Sequence, residues 1–165
     1  MRFKPTFLTA IVVALAVPAG AQAAIGVYSA SGAYGANDCT NQIDCTTTIG
    51  YAGSASCAPN CLAGAPTEGT IAISLTATPF HPPGPCVAKL VEGTLEVQWS
   101  DATTTTASIT GKARGNKGYA LQITITGGTN PFLPPGRPSK GFVSHPPSPC
   151  TPGAFTGSLA LRSAS

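Results

Sequence analysis

The sequence predicts an all-β fold, a single antiparallel β-sandwich domain of about seven to nine strands stapled by disulfides and carrying long proline-rich loops. Three observations carry that expectation. Between Gly93 and Gly127 apolar and polar residues alternate with period two through several successive segments, the pattern of strands with one buried face. The 165 residues include 19 Gly and 16 Pro, which punctuate the chain too often for long helices. Six cysteines come after an export-type leader, the combination that reads as three disulfides.

Residues 1–23 read as a signal peptide. Arg2 and Lys4 form a positive n-region, Phe7 to Val17 an apolar h-region, and Ala21-Gln22-Ala23 a small-residue cleavage site. The apolar run is shorter than the roughly 20 residues of a membrane span, and Pro18 and Gly20 break it before the cleavage site. Cleavage is expected after Ala23, leaving one secreted β-domain over 24–165 with no transmembrane segment. Only 9% of the chain is charged, against roughly 25% in an ordinary domain. That excludes disorder driven by charge.

In chain order, Ile25, Val27 and Ser29 first alternate with Gly26, Tyr28 and Ala30 in a strand that runs into the Gly-rich stretch Ser31 to Gly35. Thr46 to Ser56 reads as a spacer between two cysteine pairs. Thr70 to Thr78 is a strand with Ile71, Ile73 and Leu75 on one face. Prolines end it from Pro79 onward, and pairing resumes between Val87 and Val91. Leu95, Val97 and Trp99 then share a face, Ser100-Asp101-Ala102 makes a turn, and Thr103 to Thr110 returns with Ala107 and Ile109 opposite a run of hydroxyls. Leu121, Ile123 and Ile125 mark the next strand, and Leu159 and Leu161 the last, over Phe155 to Arg162. Ile71, Ile73, Leu75, Leu95, Val97, Trp99, Leu121, Ile123, Ile125, Leu159 and Leu161 should line the core.

Cys39, Cys45, Cys57, Cys61, Cys86 and Cys150 form the expected covalent framework. Export favours disulfides over a structural zinc site, and neither short spacing is the two-residue knuckle of zinc ribbons. His81 to Cys86 (HPPGPC) and His145 to Cys150 (HPPSPC) differ at one position, which suggests matched stiff loops joined by Cys86–Cys150. That bond would close a loop of about sixty residues, worth roughly 4 kcal/mol in the chain-entropy account. The other four cysteines pair among themselves, with Cys39–Cys45 and Cys57–Cys61 as first choice; Cys39–Cys57 with Cys45–Cys61, and Cys39–Cys61 with Cys45–Cys57, remain open.

Chemistry-bearing motifs are scarce. None of the common hydrolase, zinc-protease or phosphate-loop signatures occurs, and no cofactor is implied. No catalytic residue is assigned. Glu92 and Glu96 share a strand face and would make a hydrolase pair only if they met in a cleft. His81 and His145 would make a metal site only if their loops converged and further ligands joined them. Charge, by contrast, is segregated. Residues 24–101 hold all six acids and only Lys89, whereas residues 102–165 hold no acid and six cations. Lys112, Arg114 and Lys117 fall in one Gly-rich loop, GKARGNKG. Such a loop can lie on an anionic polymer of the cell envelope, or the two halves can interleave and neutralise each other. Nucleic acid is not suggested, because no aromatic residues are interleaved with the basic run.

GTLEVQWSDATTTTASITG (Gly93 to Gly111) and the late Gly153-Ala154-Phe155-Thr156-Gly157 resemble a group of small secreted actinobacterial β-domain proteins of unknown function. Their marks are a Trp-Ser-Asp-Gly-type turn, a Ser/Thr-rich return strand and a Gly-x-Phe-x-Gly before the final strand. The resemblance covers roughly the C-terminal half and implies a secreted β-domain without bringing an activity. Ala102 stands where such turns carry Gly, so a turn longer than two residues, or one based on type I geometry, is expected. The function these features imply is that of a non-catalytic secreted binding or cell-surface module, its partner an anionic envelope polymer or a secreted protein. The alternatives are a small secreted hydrolase and an extracellular metal-binding protein.

Overall fold

A computed structural model describes residues 24–36, 45–59, 61–80, 90–144 and 152–163. Eight strands run β1 (Ile25–Ala36), β2 (Cys45–Cys57), β3 (Glu68–Phe80), β4 (Leu90–Trp99), β5 (Thr104–Ala113), β6 (Gly118–Gly128), β7 (Pro138–Ser144) and β8 (Gly153–Arg162). Each pairs antiparallel with its neighbours in sequence, and β1 pairs with β8. The result is a closed up-and-down barrel, which corrects the expected sandwich. Strand count and alternation serve either architecture. The pairing of Ile25 with Arg162 through Tyr34 with Gly153 decides between them, a contact between the two extremes of the domain that local pattern does not encode. Closure removes the unpaired edges that a sandwich would have to protect.

All eleven expected core residues point inward and are buried, Trp99 at 3% exposure. The barrel interior is therefore a packed core, one of the fillings that an eight-stranded barrel allows. Tyr28, Tyr34, Tyr51, Tyr119 and Phe155 join that core. Large rings fit because inward positions elsewhere are glycine. A β-carbon on Gly111 would come within 2.8 Å of Val91 and 2.9 Å of Leu121. Gly32 and Gly53 face each other across β1 and β2, so close that a side chain on either would strike the opposite backbone. In β1 the buried face is accordingly Gly26, Tyr28, Ala30 and Tyr34, and Ile25 and Val27 are exposed outside.

The outward faces carry Thr94, Gln98, Ser108, Thr110, Gln122 and Thr124, all exposed. A membrane-spanning barrel places an apolar band there, so this barrel has the opposite polarity. No helix among the described residues is long and apolar enough to cross a membrane.

β2 corrects the expected spacer: Cys45–Cys57 is a full strand, paired with both β1 and β3. Of the covalent framework, Cys57–Cys61 is present, and it removes both crossed alternatives. Cys39, Cys86 and Cys150, and with them the Cys39–Cys45 and Cys86–Cys150 pairings, lie outside the described residues, as does the signal peptide expected over residues 1–23.

The turn after Trp99 is the three-residue kind. Ala102 N–H donates to the Trp99 carbonyl at 3.0 Å, Trp99 N–H donates to the Thr103 carbonyl at 2.9 Å, and Ala102 adopts φ of 65°. This is the pattern of a hairpin closed by a residue in the left-handed region, a place where Ala is strained and Gly is not. Asp101 compensates by accepting hydrogen bonds from Thr103 N–H (3.0 Å) and Thr103 Oγ1–H (2.6 Å). The same bonds hold its carboxyl below the ordinary carboxylate range.

Candidate functional site

An up-and-down barrel has two ends, and this chain uses them differently. At one end lie the β2–β3, β4–β5 and β6–β7 connections together with Ala24 and Ser163. The barrel is shut there by apolar matter. Tyr28 and Trp99 stack tilted with ring centroids 4.9 Å apart, and Leu62 and Leu133 come in from the loops to join the core. Each polar tip of the two rings finds a partner. The Trp99 indole N–H donates to Thr105 Oγ1 at 2.8 Å, and the Tyr28 hydroxyl donates to the Pro66 carbonyl at 3.2 Å. Cys57–Cys61 ties the β2–β3 connection at this same end.

At the other end the interior is phenolic. Tyr34 and Tyr51 lie with centroids 5.7 Å apart, and Phe155 meets Tyr51 edge-on at 5.1 Å. The late Gly-x-Phe-x-Gly thus has a structural role: Phe155 is the inward ring of β8. The Tyr51 hydroxyl is buried without a hydrogen-bond partner. Burial first, then the neighbouring phenols of Tyr119 and Tyr34, push its ionisation well above the usual tyrosine range.

The basic loop sits at this phenolic end. Lys112 lies near the end of β5 on its outward face, Arg114 comes next but one, and a 3-10 turn over Gly115–Lys117 leads into β6. Arg114 N–H donates to the Gly118 carbonyl at 2.9 Å and Lys117 N–H to the Arg114 carbonyl at 3.1 Å, so the loop is held by its own backbone. All three cationic side chains are exposed.

Beside this loop the outer face of the barrel is hollowed into a groove of about 1100 Å3 that reaches from Thr76 on β3 to Phe142 on β7. Lys112 and Arg114 line it, and Lys140 enters from β7. Strand register puts Lys140 there. Glu92 pairs with Thr110, Thr110 with Gln122, and Gln122 with Lys140, forming one outward row across four strands. The next row is Leu90, Lys112, Ala120 and Phe142. Lys112, Arg114, Lys117 and Lys140 make no ion pair among the described residues. Among the described residues Glu92 is the one carboxylate lining the groove. Glu68 and Asp101 lie at the opposite end of the barrel, beside Trp99. The described acids and cations therefore interleave at β4 and β5.

The sequence singled out Lys112, Arg114 and Lys117 but missed Lys140, Phe142 and Leu90. Lys140 lies far along the chain from the loop and is isolated in sequence; only the β6–β7 register connects them. Glu92 and Glu96 are both exposed on the outer face of β4, and only Glu92 reaches the groove. They do not form the enclosed pair that glycosidase chemistry needs. His81 and His145 lie outside the described residues. Among the described residues no group of three His, Cys, Asp or Glu side chains could hold a metal ion. No known protein family, curated protein or solved structure matches the chain, so the groove and its charges have to be understood from their own chemistry.

Proposed function

We propose that this chain is an exported, non-catalytic binding module that attaches to an anionic polymer of the cell envelope through the basic end of its barrel. The observation that carries the reading is the gathering of Lys112, Arg114 and Lys140 in one groove, with Lys117 in the same loop and a single carboxylate among the described lining residues. Four exposed cations on a rigid frame hold a fixed positive field, to which a repeating phosphate or carboxylate chain can bind in many registers. The Ser- and Thr-rich outer wall and the signal-like leader fit a protein working in water outside the cell, as does the resemblance to small secreted actinobacterial β-domains.

The test is retention on purified cell-wall material. Each cation close to an anionic surface contributes about 1 kcal/mol, so changing Lys112, Arg114 and Lys117 together to Gln should weaken retention by about a hundredfold. Attraction between exposed charges is screened over about 10 Å at 0.1 M salt, so raising the salt should release the wild-type protein. Unchanged retention in the triple variant would end this reading.

A further inference from the structure

The groove is not uniformly charged, and its apolar part bears on the ligand it can take. Leu90 is the most exposed large hydrophobic side chain among the described residues, at 56%. Phe142, half-buried, stands at the far side of the same outward row. Between them lie Lys112 and then Ala120, whose single methyl leaves the floor low between two long neighbours. Neighbouring strands are about 4.8 Å apart, so Lys112 and Phe142 stand roughly 10 Å apart as the two walls over Ala120. Lys140 lies one outward row away on the same strand as Phe142, and Arg114 lies just beyond Lys112. Cations thus surround a short apolar trough.

We propose that this groove is a site for an anionic amphiphile, a molecule with a phosphate or carboxylate head and a short hydrocarbon or aryl stem. The head lies among Lys112, Arg114 and Lys140, and the stem lies over Ala120 between the Phe142 ring and the methylenes of Lys112, with Leu90 on the far side of Lys112. Charge complementarity selects the head, because among the described residues three cations face one carboxylate, Glu92. The groove is roomy enough for such a ligand, since sites for small molecules run from about 300 to 1,000 Å3. A bare polyphosphate would use the cations and leave Phe142 in water. The proposal deepens the polyanion reading by naming a ligand class for the same site, and it rests on that reading for the cationic half only.

The experiment compares octyl phosphate below its micelle concentration, inorganic phosphate, linear polyphosphate and octyl glucoside, each titrated calorimetrically into the mature protein. Octyl phosphate is expected to bind at least about tenfold tighter than inorganic phosphate, the gain from burying about two methylenes, and octyl glucoside is expected not to bind. Phe142→Ser should remove that advantage while leaving polyphosphate binding unchanged, and Lys140→Gln should weaken both anions. Should Phe142→Ser fail to fold, Ala120→Gln, which fills the floor from outside the barrel, reports the same loss. Octyl phosphate binding no tighter than inorganic phosphate, or octyl glucoside binding equally well, overturns the proposal. If polyphosphate still binds in that case, the polyanion reading stands without it. If neither anion binds, both fall.

Discussion

The two ends of this barrel are built from the same alternation of inward and outward residues, yet they solve opposite problems. The Trp99 end is sealed by an aromatic pair whose polar tips are both hydrogen-bonded. The phenolic end buries the Tyr51 hydroxyl without a partner and carries exposed Lys112, Arg114 and Lys117 outside. A buried polar group that is paired costs little, whereas an unpaired one loses its hydration without compensation. The phenolic end thus carries a buried hydroxyl without the compensation that the Tyr28–Trp99 pair enjoys, and the basic loop lies at that same end.

The largest effect should come from the sealed end. Trp99→Ala should lower unfolding stability by about 3–5 kcal/mol, the range for removing a large buried ring, measured by urea denaturation. Thr105→Val keeps the shape but strips the acceptor from the Trp99 indole, and should cost about 1–3 kcal/mol. The contrast sharpens with Tyr51→Phe at the phenolic end. Its hydroxyl has no partner to lose, so the variant should be as stable as the parent or more stable by up to about 1 kcal/mol. A loss equal to that of Thr105→Val would erase the distinction between the ends.

Alkaline pH probes the same contrast. The Tyr51 phenol ionises in the unfolded chain near 10 but is held neutral well above that in the barrel. Above pH 10 or so the folded state retains a proton that the unfolded state has given up, so stability falls as pH rises. Tyr51→Phe should resist alkaline unfolding from about pH 10 upward better than the parent.

How much of this was legible in the sequence depended on the kind of contact. β3 to β6 and β8 were readable because Ile71, Val97, Ile123 and Leu159 stand in strict alternation with polar neighbours. β2 was not, because CTTTIGYAGSASC offers only Ile49 and Tyr51 as large inward side chains among Gly, Ala, Ser and Thr. In β1 the large inward residues are tyrosines spaced by glycine and alanine, a packing signature of a narrow barrel that hydrophobicity alone assigns to the wrong face. Closure escaped because it depends on β1 meeting β8, and the groove escaped because Lys140 meets Lys112 only through two strand registers. The turn after Trp99 was better specified: Ala in place of Gly predicted a longer turn or one based on type I geometry, and Ala102 pays for the departure with its φ of 65°.

That turn gives the smallest predicted effect. Ala102→Gly should stabilise the protein by about 1 kcal/mol, because glycine occupies the left-handed region without steric cost. A higher urea midpoint with an unchanged slope would be the signature.

The comparison between the ends is tested most directly by moving the same charge loss from one to the other. Lys112→Gln with Arg114→Gln removes two cations at the phenolic end, and Arg137→Gln with Arg162→Gln removes two at the Trp99 end. Linear polyphosphate binding is measured for both double variants at low salt. A loss of at least about tenfold is expected for the first pair and little change for the second; equal losses from both would mean that net charge alone, and not the groove, attracts the anion.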